Sequence, residues 1–282
     1  MTKQKIKILL LITVSLIIVI AVILSLVYSM NKNIAKKNLF RAITINDIQT
    51  VNVVIDKYPT LVNEKEYVFN FFGDMIGRGN STPLLTAIQY GNNDIVYLLV
   101  ENGADVNKST RCYPVIEALV RGHNKIAWYL IEKGADVSVV DHTSWNRTVP
   151  YAIVMHEIPE GDIEQAAEYL ELLKFAVENG APLELLTVRP KGIDSLFGFA
   201  AIQNNPLIVK YFIEQRIYDV DARVTDTNKT ALICAVESQA YSVCRVLLEC
   251  GADKDLKDDS GMTAYDYAME LKDDVLIKLF SD

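Results

Sequence analysis

Histidine and cysteine are scarce in this chain, and neither is grouped in a way that chemistry would need. The three histidines, His123, His142 and His156, fall in different turns and loops. No H-E-x-x-H, G-x-S-x-G, G-x-G-x-x-G or Walker sequence is present. The four cysteines, Cys112, Cys234, Cys244 and Cys250, make no C-x-x-C pair and no zinc spacing. They read as buried reduced thiols, because a free cysteine packs as a small hydrophobe. The acidic run Glu157, Glu160, Asp162 and Glu164 lacks the ligand order of a calcium loop and reads as a solvated segment. No catalytic set, cofactor or metal is expected, so the chain is not read as an enzyme.

Basic residues are also in short supply, 28 against 36 acidic. Seven of them (Lys3, Lys5, Lys7, Lys32, Lys36, Lys37 and Arg41) lie in residues 1–41, where no acidic residue occurs, so residues 42–282 carry a net charge of −15. A body that acidic repels phosphate backbones, which speaks against nucleic acid as a partner; it favours a protein with a basic face or simply serves solubility.

Charge is absent altogether from residues 8–28, ILLLITVSLIIVIAVILSLVY. As a helix this run measures roughly 31 Å, the thickness of a bilayer's hydrocarbon core. It is longer than the apolar region of a cleaved signal peptide and has no polar face, unlike a surface helix of a soluble protein. The expectation is an uncleaved signal anchor at 8–28 behind a basic flank at 1–7, with a linker at 29–38. Basic residues stand on both sides of the run, so the positive-inside count does not decide orientation. A basic N-terminus followed at once by the apolar run favours a body outside the cytoplasm, periplasmic in a bacterium.

The rest of the chain repeats. TPLLTAIQYGNNDIVYLLVENGADVN from Thr82 is followed by YPVIEALVRGHNKIAWYLIEKGADVS from Tyr113, with weaker copies from Ser195 and Thr230. An alanine recurs in register at Ala42, Ala87, Ala118, Ala152, Ala200, Ala235 and Ala268. Two of the intervals are long and place insertions near 62–80 and 156–169. Each copy reads as two helices. The small alanine lets them approach, Ile95, Val96, Leu98 and Leu99 form an apolar stripe to be buried, and Gly103 suits a helix end at positive φ. One copy cannot bury its stripe alone, so copies must stack. The first and last copies depart from the pattern as end caps do, the last with charge expected on its outer side.

These ends and starts (Gly103-Ala104-Asp105-Val106-Asn107, Gly134-Ala135-Asp136-Val137, Gly251-Ala252-Asp253 and Asp258-Asp259-Ser260-Gly261-Met262-Thr263) closely resemble the ankyrin-repeat family over about 39–282. The resemblance implies an all-α solenoid of about seven helix-turn-helix repeats that binds another protein through its turn fingers and first helices. Carried over by register, it selects fingers at 109–113, 142–147, 226–229 and 258–262. On the first helices it selects Gln89–Tyr90, Val120–Arg121, Ile202–Gln203 and Glu237–Ser238. Within these, Tyr90, Arg111, Tyr113, Arg121, His142, Trp145, Arg147, Gln203, Asn228 and Lys229 are the expected partner-binding residues, since Trp, Tyr and Arg dominate hot spots. Trp145 replaces the family's turn glycine, either as a binding anchor or as a plug against the second insertion. Trp128, on a second helix, reads as core, and His123 takes the place of the family's structural turn histidine. The resemblance also extends to exported bacterial ankyrin proteins that act as immunity proteins against a toxin or other effector. An envelope accessory or scaffold supporting a partner enzyme is the alternative.

Overall fold

The computed structural model describes residues 3–66, 81–110, 112–141, 147–183, 192–193 and 195–280, with side chains from residue 13 onward. Fourteen α-helices and one 3-10 turn make up the regular structure of the described residues. They divide into two compact units, residues 1–105 and 106–282. Most of the insertion expected at 62–80 lies outside the described residues.

In residues 1–105, α1 (Lys3–Thr44) packs on α2 (Ile48–Lys57), a 3-10 turn (Pro59–Asn63) follows, and α3 (Pro83–Gln89) pairs with α4 (Asn93–Glu101). One backbone helix here does two different things. From Val14 to Met30 its large apolar side chains are exposed, while Ala35, Leu39, Phe40, Ala42 and Ile43 are buried against α2 and α3. Residues 29–38, expected as a linker, are helix throughout. They contain neither glycine nor proline, and Ala35 already faces the core. Lys32 and Lys36 close on Glu64 at 2.6 and 3.4 Å, so two of the basic residues flanking the apolar run are paired within the first repeat.

In residues 106–282 five helix pairs follow one another. They are α5 (Pro114–Val120) with α6 (Asn124–Glu132), α7 (Val149–Val154) with α8 (Ile163–Glu178) and α9 (Leu196–Ile202) with α10 (Pro206–Glu214). The last two are α11 (Ala231–Glu237) with α12 (Tyr241–Glu249) and α13 (Ala264–Leu271) with α14 (Asp274–Leu279). All seven register alanines are buried, at 3% exposure for Ala42 and 0% for the others. Threonine starts several of the first helices. The Oγ1 atoms of Thr82, Thr148 and Thr230 accept from the backbone N–H three residues on, at 3.1–3.3 Å, and Thr263 forms a full capping box with Asp266.

The ends of the repeats carry a shared clip. Asn63 donates to the Gly103 carbonyl at 2.8 Å and accepts from Asp105 N–H at 2.9 Å. Asn107 does the same to Gly134 and Asp136, at 2.9 and 2.8 Å. Asp221 accepts from Asp253 N–H at 2.9 Å. The asparagine closing one repeat thus satisfies backbone groups left over at the end of the next, which is how neighbouring repeats hold register.

The second insertion is only partly a loop. Between first and second helices the ordinary repeats spend three residues, such as 121–123 and 203–205, whereas here 155–162 intervene. The remaining extra length goes into α8, which has 16 residues against nine in α6 and α10. Its sequence, IEQAAEYLELLKFAVE, is rich in good helix formers. Nor is the acidic run wholly solvated, because Asp162 caps α8 and the Glu160 carboxylate is hydrogen-bonded into the neighbouring repeats. The last repeat leaves Tyr265, Met269, Leu271 and Val275 exposed beside its charges, so its outer side is mixed rather than charged. Trp128 is half-buried, edge-on to Phe175 with ring centroids 5.7 Å apart.

Candidate partner-binding surface

The position just before the register alanine varies widely from repeat to repeat. It is Arg41, Thr86, Glu117, Tyr151, Phe199, Cys234 and Tyr267 in turn. In residues 106–282 these side chains stand at the fingers and organise them. Glu117 is buried, at 6% exposure. Its Oε1 accepts from Arg121 Nε at 2.6 Å and its Oε2 from the Cys112 thiol at 3.3 Å. Burial, with Glu117 alongside, pushes the Cys112 thiol well up. Tyr151 meets Phe199 edge to face at 5.3 Å.

Asp258 orders the last finger. Its carboxylate accepts from the N–H groups of Ser260 and Met262, at 2.9 and 3.1 Å, and from the Tyr267 hydroxyl at 2.7 Å. Burial works against the charge, but these donors outweigh it and hold the carboxyl below its usual range. Lys229 lies 4.7 Å over the Tyr267 ring and donates to Glu237 at 2.6 Å. Burial draws the Lys229 ammonium down, and the contacts with Glu237 and Tyr267 more than restore it, leaving it raised. Lys229, Glu237, Ser238 and Ile202, all selected from the sequence, line one cavity of about 250 Å³ together with Cys234 and Ile193.

The other expected residues fare differently. Arg147 is committed to Asp141, whose side chain is wholly buried. The ion pair is 2.5 Å long and is doubled by Arg147 N–H donating to Asp141 at 2.9 Å. Gln203 donates to the Met155 carbonyl at 2.7 Å and so braces the 155–162 loop. Asn228 adopts φ +57° at its turn and donates to Asp259 at 2.8 Å. Tyr113 immediately precedes α5 and is half-buried. Arg121 is exposed at the end of α5. Tyr90, in residues 1–105, is 46% exposed at the end of α3. Arg111, His142 and Trp145 lie outside the described residues. His123 is the N-cap of α6, and burial, then Arg121, lowers its pKa.

Glu117, Asp141 and Tyr267 organise the fingers without having been among the expected residues, whereas Asp258 lies in the expected 258–262 finger. The variable position before the alanine signals Glu117 and Tyr267. Nothing local marks Asp141.

Burial pushes the Cys244 thiol up to about 12 and raises Cys250 too, and a protonated thiol is a poor nucleophile. Among the described residues no group of His, Cys, Asp and Glu could hold a metal ion.

The family model for ankyrin repeats matches residues 39–141, 163–258 and 199–281. Over 96 residues the chain is 31% identical to an ankyrin repeat protein of Fowlpox virus (strain NVSL), covering 34% of this chain and 13% of that protein. The chain thus spans a small part of that relative's length. Helix pairs built on seven buried alanines and matched over most of their length show that this chain belongs to the ankyrin-repeat family, whose members are in general protein-interaction modules.

Proposed function

We propose that this chain is a non-catalytic protein-binding module tethered to a membrane by α1, with the finger side of its repeats as the binding surface. The observation that carries the tether is the change of environment along α1. Its apolar stretch has a mean hydropathy of 2.5 with none of it buried, and the same helix then becomes the first helix of the first repeat. The partner presents a basic face to a body of net charge −15, and its grip weakens with added salt, as complementary charge requires.

The test uses the full chain. Membranes carrying it are washed with alkaline carbonate, solubilised in detergent and used to capture partners. The expected result is a chain retained in the washed membranes that captures a protein. The Lys229→Ala and Arg121→Ala changes should each weaken that capture about tenfold. Release by carbonate would sink the tether. Capture indifferent to both substitutions and to Tyr90→Ala would move the binding surface away from the fingers. A captured toxin that the chain neutralises identifies it as an immunity protein. A captured enzyme whose activity depends on the chain identifies an accessory scaffold.

A further inference from the structure

At the helix ends opposite the fingers, the second insertion walls a cleft of about 410 Å³ against α10 and α12. That falls within the roughly 300–1,000 Å³ of typical ligand pockets. The loop that forms it is built rather than slack. Ile158 is buried at 2% exposure, its N–H donates to the Gln203 carbonyl at 2.8 Å, and its own carbonyl accepts from Asn204 at 3.2 Å. Glu160 reaches two repeats further, accepting from Asn204 at 3.0 Å, from the Ser242 hydroxyl at 2.9 Å and from Arg245. Past this scaffold the chain presents Ile163, 69% exposed at the rim, opposite half-buried Leu207 and Val246. Large apolar side chains held at a cleft mouth by a braced loop are the mark of a contact site.

Charge decides what fits. Glu160 is neutralised by Arg245. The helix starts of α8 and α10, which would otherwise attract anions, are already capped by Asp162 and Asn205, at 3.0 and 3.1 Å. What remains at the rim is Asp162 and Glu249. Among the described residues neither forms an ion pair with a lysine or arginine. We propose that this cleft is a second docking site, separate from the fingers, for a partner polypeptide segment. That segment inserts apolar side chains between Ile163, Leu207 and Val246 and sets lysine or arginine against Asp162 and Glu249.

The experiment pans a random peptide library displayed on phage against the full chain in detergent, removing phage that also bind the Ile163→Asp chain. Ile163 is exposed, so that change leaves the core intact, and circular dichroism checks the helix content of every variant. The expected peptides carry neighbouring apolar residues with Lys or Arg close by. Their synthetic forms should lose about tenfold in affinity on Leu207→Asp and about threefold on Glu249→Gln. They should bind the Lys229→Ala chain unchanged. Finger variants that abolish partner capture while leaving peptide binding intact would separate the two sites. Recovery of no peptide, of acidic peptides, or of peptides indifferent to Leu207→Asp and Glu249→Gln would overturn the proposal. So would self-association of the full chain that Ile163→Asp abolishes, since that would give the cleft to a second copy.

Discussion

Residues 114–132 and 149–178 are built on the same plan. Ala118 and Ala152 are both fully buried, and so are Leu130 and Leu173 on the second helices. What differs is the connection between the helices. The first repeat of this pair turns in three residues by letting Gly122 take φ +70°, a conformation open to glycine at little cost. The second takes eight residues and must brace them with side chains: Glu160, Gln203 and Asn204 on one flank and His156 on the other. His156 hydrogen-bonds the Leu119 carbonyl at 2.5 Å and stacks on Tyr169 at 5.1 Å. A Cβ at Gly122 would stand 3.7 Å from it, so the long connection leans on the short one. The comparison teaches that the core of the repeat is fixed and its turn is free to vary, provided the added backbone finds hydrogen-bond partners.

The finger joining these two repeats gives the largest expected effect. Arg147→Met takes the guanidinium away from the buried Asp141 side chain, and urea unfolding followed by circular dichroism should show a loss of about 3–5 kcal/mol. A loss below about 1 kcal/mol would mean that Asp141 is hydrated. Next come the paired core substitutions. Leu130→Ala and Leu173→Ala should each cost about 2–5 kcal/mol and agree with each other within about 1 kcal/mol. A much smaller cost for Leu173→Ala would show that the enlarged repeat has a looser core, which would break the comparison. Glu160→Ala should cost about 1 kcal/mol, a figure held down by the exposure of the Glu160–Arg245 pair. Its main signature is faster amide exchange confined to 155–162.

The smallest effect is a pH slope. Burial lowers the His156 pKa although the Leu119 carbonyl works to raise it. The folded state therefore binds this proton less readily than the unfolded state, so stability is full above about pH 6.5 and falls as the pH drops below it. His156→Asn should flatten that slope by a measurable fraction, with His123, also lowered, acting in the same direction. An unchanged slope would remove His156 from the account.

The repeats were legible because their requirements are local. A small residue where helices touch, a hydroxyl at a helix start and a glycine at a turn each report on a few neighbouring positions. The site was legible only in outline. Arg147, Gln203 and Asn228 were chosen for exposure by register, yet their side chains serve the fold through Asp141, Met155 and Asp259. Lys229 and Glu237, selected separately on a finger and a first helix, do meet, because eight residues separate them within one repeat. Glu160 meets Ser242 and Arg245 across 82 and 85 residues, pairings that no periodicity announces. The long α8 was invisible for the opposite reason, since measuring repeats from alanine to alanine counts extra residues without saying whether they coil or extend the helix.

The unbroken course of α1 has a mechanical consequence. A helix without glycine or proline between Met30 and Thr44 admits no swivel, so it acts as a keyed shaft. Each residue added between Met30 and Ala35 would turn the first two repeats by about 100° about that shaft and lift them about 1.5 Å. In a tethered chain the membrane would then dictate the compass bearing at which Tyr90 is offered, as well as its height.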